Sequence, residues 1–225
     1  MRYLLVSDFN FPEHSFNEFE SFISDKRFDG AVFCGDMAAA GRIHEMKEKA
    51  DSILKGKPYV YVRGNTERAS DAPFLKDYAD IDGWHIIHGH QYDPGYSKFF
   101  QYFFRQRADR KVSKALFKAV KFVRGIVKHA YGDINCDELE SGVVPRTAGK
   151  VVGRIFPDAC PNVVCRKVLS KEPYDKVALG HFHPFSHKTY ADKAGAKVCA
   201  FLPAFPDFAY LEDGRLIFQE SRHES

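Results

Sequence analysis

A chain of 225 residues is long enough for one large domain with a real core, and its 44 % apolar and 28 % charged residues are ordinary for a soluble globular protein. A net charge of +3 gives no ground for nucleic acid as a partner, and no apolar run approaches the length of a membrane span. The five cysteines are an odd number without a Cys-x-x-Cys pair, and no charged-then-apolar leader opens the chain. Both features predict a reduced, cytoplasmic setting in which Cys34, Cys136, Cys160, Cys165 and Cys199 are mostly core thiols.

Arg2 to Ser7 is an apolar run that ends at Asp8-Phe9-Asn10, and Pro12 stops it too early for a helix, so a buried strand is expected. Phe16, Phe19, Phe22 and Ile23 then recur at helical spacing, with Ser15 as N-cap and Glu18 three residues on, which predicts a helix over 15–24. Asp29-Gly30 turns the chain into a second buried strand, Ala31 to Cys34, ending at Gly35-Asp36. Helix-forming sequence runs from Arg42 to Lys55, and Gly56-Lys57-Pro58 closes it. A third strand, Tyr59 to Val62, ends at Gly64-Asn65-Thr66-Glu67, and a fourth, Trp84 to Ile87, at His88-Gly89-His90. This alternation is the rhythm of a sheet with helices on its faces.

Beyond His90 the composition changes. After the turn Asp93-Pro94-Gly95, Phe99, Phe100, Phe103 and Phe104 fall on one helical face, and Val112, Ala115, Leu116, Ala119, Phe122, Val123 and Ile126 continue an apolar stripe. Arginines and lysines are interleaved from Arg105 to Lys128, with Asp109 the only acid in that span. Three readings of this basic, aromatic segment stand side by side: a helical cap packed on the body, a grip for a lipid or anionic membrane surface, or a dock for polyanions. The segment 132–150 is polar, with Gly and Pro, and is expected to be a return loop. A helix is expected over 162–170 and a strand over Val177-Ala178-Leu179, which ends at Gly180-His181-Phe182-His183. The short runs 185–190, 197–201, 208–211 and 216–218, the last two joined by the hairpin signal Glu212-Asp213-Gly214, are expected to form the second sheet of a sandwich.

Position ties these elements together. Asp8, Asp36, Asn65, His88, His181 and His183 each sit just past the end of an expected strand. Singly, each has a plain explanation: Asp8, Asp36 and Gly64-Asn65 are common turn residues, and His-x-His can be two histidines in a turn. Together they are metal-capable side chains at the carboxyl ends of strands, where an open α/β sheet holds its ligand.

The ordered set Asp8-Phe9-Asn10, Gly35-Asp36, Gly64-Asn65-Thr66-Glu67, His88-Gly89-His90 and Gly180-His181-Phe182-His183 resembles the signature of the calcineurin-like metallophosphoesterases. The resemblance covers most of the chain and implies a four-layer αββα metallophosphoesterase sandwich with a helical cap insertion. The core would be 1–90 and 151–225, and the insertion 91–150. It also implies two divalent metal ions, Mn first, with Fe, Zn or Ni as alternatives. Asp8 and His183 would hold one ion and Asn65, His88 and His181 the other, with Asp36 bridging and Asn10 an added ligand. Such a pair shares a bridging water, lowers its pKa towards neutrality and clamps a phosphate during in-line attack. Mixed imidazole, carboxylate and amide ligands suit Mn, Fe or Zn better than Mg.

Two positions depart from the family pattern. Asn10 stands where members carry a metal-binding histidine, and Thr66 where many carry a histidine that contacts the phosphate. Asp36, Asn65 and His90 are the expected catalytic residues, with His90 or a metal-bound water to take the proton, and Thr66 is expected to touch substrate. His88-Gly89 followed by an aromatic, basic insertion is similar to the UDP-2,3-diacylglucosamine pyrophosphatases of lipid A synthesis, peripheral enzymes with a helical lid. That likeness places Tyr96, Phe99, Phe103 and Arg105 at the substrate, a phosphorylated small molecule or lipid-linked compound, with peripheral contact to an anionic membrane. The competing reading is a scaffold of the same fold, or an anionic-surface binder, with little or no turnover.

Overall fold

The structure, a computed structural model, describes residues 1–93, 161–182, 189–192 and 194–219. The expected insertion beyond residue 93, the strand expected from 185 up to 188, and the site candidates His183, Tyr96, Phe99, Phe103 and Arg105 lie outside the described residues.

The first half alternates strands and helices: β1 (Arg2–Val6), α1 (Phe16–Ser24), β2 (Gly30–Phe33), α2 (Ile43–Leu54) and β3 (Tyr59–Val62). The start of α1 is a capping box, with the Ser15 hydroxyl accepting the Glu18 amide at 3.2 Å while the Glu18 carboxylate accepts the Ser15 amide. Three short strands follow, β4 (Leu75–Lys76), β5 (Ala79–Ile81) and β6 (Trp84–Ile87), then α3 (Pro161–Lys171), β7 (Lys176–Leu179), β8 (Thr189–Ala191), β9 (Val198–Phe201), β10 (Phe208–Glu212) and β11 (Arg215–Gln219).

These strands make two sheets. The first has the order β11-β10-β1-β2-β3-β4 and the second β5-β6-β7-β9-β8. β1, β2, β3 and β4 run parallel, and β10 joins antiparallel with Leu4 opposite Tyr210. In the second sheet β6, β7 and β9 run parallel between antiparallel edges. The expected grouping of the four C-terminal runs is thereby corrected. Only β8 and β9 join the second sheet, while the β10–β11 hairpin completes the first, because β1 carries an open edge beside apolar β10.

Strand alternation sorts the core into three interiors, which defines four layers, helix, sheet, sheet, helix. Leu4, Val6 and Phe33 face α1 and α2, where Phe19, Ile23, Met46 and Leu54 meet them. Leu5, Val32, Val62, Ile86, Ala178, Ala200 and Ala209 lie between the sheets. Val177, Leu179, Cys199 and Phe201 face Val164, Val168 and Leu169 of α3. Each large aliphatic so buried contributes about 1.5–3 kcal/mol. β1, β2 and β3 run parallel in the first sheet and β6 and β7 in the second, and the loops after the two sets meet where His88 Nδ1 reaches Cys34 O and Gly180 abuts Ser7.

Candidate metal centre

The loop after β2 turns at Asp36, whose backbone is left-handed at φ 52°, and the loop after β1 does so twice, at Asp8 (φ 58°) and Asn10 (φ 56°). Asp and Asn tolerate this region better than other side chains, and such residues cluster at functional turns. The two loops run together: the Asp8 amide donates to Gly35 O at 3.1 Å and the Asn10 amide to Asp36 O at 2.9 Å.

His88, directly after β6, is buried, with 1 % of its surface exposed. Its Nδ1 lies 2.9 Å from the Cys34 carbonyl. A carbonyl only accepts, so Nδ1 carries the proton and Nε2 is left with a lone pair. That lone pair faces Asn65 Oδ1 at 3.0 Å and Asp36 Oδ1 at 3.5 Å. Three acceptors this close need a cation among them, either a further proton on Nε2 or a metal ion. His181, after β7, supplies a fourth ligand atom, and the candidate atoms of Asp36, His88 and His181 all lie within 4.8 Å of one another.

Tight backbone approach makes this convergence possible. A Cβ on Gly64 would overlap the Asp36 amide nitrogen and Oδ1 and stand 2.7 Å from Glu67 Oε2. A Cβ on Gly180 would overlap Ser7 Oγ and stand 2.5 Å from Cys34 O. Glycine at 64 lets the loops after β2 and β3 touch, and glycine at 180 lets the loop after β7 of the second sheet meet the ends of β1 and β2.

The remaining sequence candidates fall around this cluster in different ways. The Asp8 carboxylate accepts a hydrogen bond from the buried Ser7 hydroxyl, and its charge, after burial, helps push the Cys34 thiol up. Asp8 is not within the group formed by Asp36, His88 and His181. Asn10 turns its amide nitrogen to the Asp8 carbonyl at 3.0 Å. Thr66, expected to meet substrate, holds Asp36: its amide donates to Asp36 Oδ1 at 2.9 Å, and its hydroxyl lies 3.1 Å from the same oxygen and 2.9 Å from Ala38 O. His90 sits beside His88, with ring centroids 5.5 Å apart. Burial first, then the charges of His88, His181 and Arg68, push its ring down to about 3. A ring in that state is neutral at physiological pH.

Two carboxylates escaped the sequence reading. Glu67 is fully buried and accepts the amides of Asp36 (3.0 Å), Gly64 (2.8 Å) and Ala38 (3.1 Å), binding the Asp36 loop to the Asn65 loop. Burial, then the Asp36 charge, raises its carboxyl, while the Ala38 amide, the charge of His88 and the Asp36 amide pull it back. Its place in the quoted Gly-Asn-Thr-Glu stretch was the available signal. Asp93, read as a turn residue, lies with Oδ2 3.0 Å from His181 Nε2, and nothing in its local sequence marks it.

No protein-family model matches the chain, and no curated protein matches it. Among solved structures, one described as a novel archaeal phosphodiesterase is 14 % identical, aligned over 97 % of this chain and 100 % of its own, with a TM-score of 0.42.

Proposed function

We propose that the chain is a metal-dependent phosphoesterase that holds two divalent ions, Mn2+ first among the candidates, and hydrolyses a phosphodiester or pyrophosphate bond. One observation carries this reading: His88 Nε2, Asn65 Oδ1 and Asp36 Oδ1 converge beside His181. Two imidazoles, a carboxylate and an amide oxygen fit a borderline divalent cation such as Mn, Fe or Zn. The ordered strand-end motifs support the same reading from the sequence.

The residues divide the work. Asn65, His88 and His181 hold one ion; Asp36 is shared; Asp8 and His183 serve a second, with Asn10 beside them. Bound divalent ions supply Lewis-acid stabilisation of the phosphate charge and a water of lowered pKa. Thr66 and Glu67 keep Asp36 aimed at the rim, and Cys34 O holds the His88 ring in the tautomer that presents Nε2. The basic, aromatic insertion supports an anionic or lipid-linked substrate, with UDP-2,3-diacylglucosamine the named one to try and with peripheral membrane contact at the cytoplasmic face. Among the described residues no helix is long and apolar enough to cross a membrane.

The test is Mn2+-dependent hydrolysis of bis(4-nitrophenyl) phosphate by the purified chain, with Asp36→Ala as control, followed by UDP-diacylglucosamine. Turnover by the wild type and none by the variant is the expected result. Mn2+ binding by the wild type without turnover of either substrate would replace this reading with the scaffold.

A further inference from the structure

The two histidines of the cluster are held by opposite nitrogens. His88 gives Nδ1 to the Cys34 carbonyl and keeps Nε2 for the centre. His181 places Nε2 3.0 Å from Asp93 Oδ2, with both side chains mostly buried at 15 % and 16 % exposure. An ionised carboxylate only accepts, so the proton of the His181 ring resides on Nε2 and the lone pair on Nδ1.

We propose that Asp93 is the positioning residue of His181: it selects the Nε2–H tautomer, leaves Nδ1 as the ligating atom and makes that nitrogen a stronger ligand. The inference rests on the metal site proposed above. A carboxylate on the far nitrogen of a ligating imidazole fixes ring orientation and raises basicity. Asp93 does not itself belong to the group of ligand atoms that Asp36, His88 and His181 form, so it acts from behind the ring.

The fold builds Asp93 into place through α3. Tyr92, one residue before it, is buried against the α3 side of the second sheet, its hydroxyl donates to Glu172, and Lys167 Nζ donates to its carbonyl at 3.2 Å. The Asp93 amide closes the turn onto His90 O at 3.2 Å. The ring it meets is equally constrained, because the His181 amide donates to His88 O at 2.7 Å. A helix that contributes no ligand of its own among the described residues thereby aims one.

Two readouts test this, neither of them turnover. Mn2+ affinity is measured by titration calorimetry for the wild type, Asp93→Ala, Asp93→Asn and His181→Ala, with far-ultraviolet circular dichroism confirming that each is folded. The His181 tautomer in the metal-free wild type is read by long-range proton–nitrogen correlation. Asp93→Ala is expected to weaken Mn2+ binding 10–100-fold. Asp93→Asn, whose amide oxygen still accepts the Nε2–H, recovers most of that loss, and the wild-type ring carries its proton on Nε2. Asp93→Asn as weak as Asp93→Ala, Asp93→Ala equal to wild type, or a wild-type proton on Nδ1 overturns the proposal alone. Wild-type protein that takes up no Mn2+ overturns the metal site and the proposal with it.

Discussion

The Glu67 carboxylate accepts the backbone amide of Asp36 at 3.0 Å across 31 positions of sequence, and with the same oxygen it accepts the Gly64 amide at 2.8 Å. Its other oxygen takes the Ala38 amide at 3.1 Å. One side chain therefore holds together the two loops that carry Asp36 and Asn65. Glu67→Ala leaves three amides without that acceptor, each costing about 1–3 kcal/mol when buried. A loss of roughly 3 kcal/mol or more in urea denaturation is expected, together with weaker Mn2+ binding. Glu67→Gln, with one acceptor oxygen instead of two, should fall between; stability equal to wild type in the alanine variant would show that the staple is idle.

Asp36 and Asn65 are not equivalent ligands. Asp36 supplies charge and is shared between the proposed sites, whereas Asn65 offers one neutral oxygen to one of them. In calorimetric titration with Mn2+, Asn65→Ala is expected to lose about tenfold in affinity, ~1.4 kcal/mol, and Asp36→Ala to lose measurable binding. Equal losses in the two variants would contradict the shared role of Asp36.

Gly64→Ala adds a single methyl group where the Asp36 amide and carboxylate already stand. Neither neighbour can retreat, since one is backbone and the other is held by Thr66. Overpacking of this kind costs about 1–3 kcal/mol. The expected outcome is a lowered melting temperature and a metal affinity reduced beyond what Asn65→Ala produces. Gly56→Ala, where a Cβ meets nothing within 4 Å, is the comparison. Its φ of +85° predicts a stability cost with the metal site intact.

Phe182 anchors the turn that carries His181. It is 1 % exposed, lies edge-on to His181 at 5.0 Å between ring centroids, and meets Phe201 at 5.9 Å in the α3-facing interior. Phe182→Ala should cost about 3–5 kcal/mol by opening a cavity. Phe182→Leu should keep most of the stability. If the alanine variant melts with the wild type, the turn is held by its backbone alone.

Much of this protein follows from local rules. The Ser15–Glu18 capping box, the spans of β3 and β6, and the Asp213-Gly214 hairpin are legible because their causes lie within a few residues of each other. Asp36, Asn65, His88 and His181 were legible for the same reason: each follows a recognisable strand, and parallel strands end at one rim. Other features needed the tertiary structure. β4 and β5 are two and three residues long, too short to carry a period, and exist through their partners β3 and β6. The hairpin β10–β11 belongs to the first sheet because β1 offers it an edge, and no local pattern states which edge is open. The hydrogen bonds of Thr66 and Glu67 to the Asp36 loop, and of Asp93 to His181, are not written in the local sequence. The roles of these residues come from the amides, carboxylate and imidazole brought to them over 30 to 88 positions of chain, and hydrogen-bond partners at that range are set by packing alone.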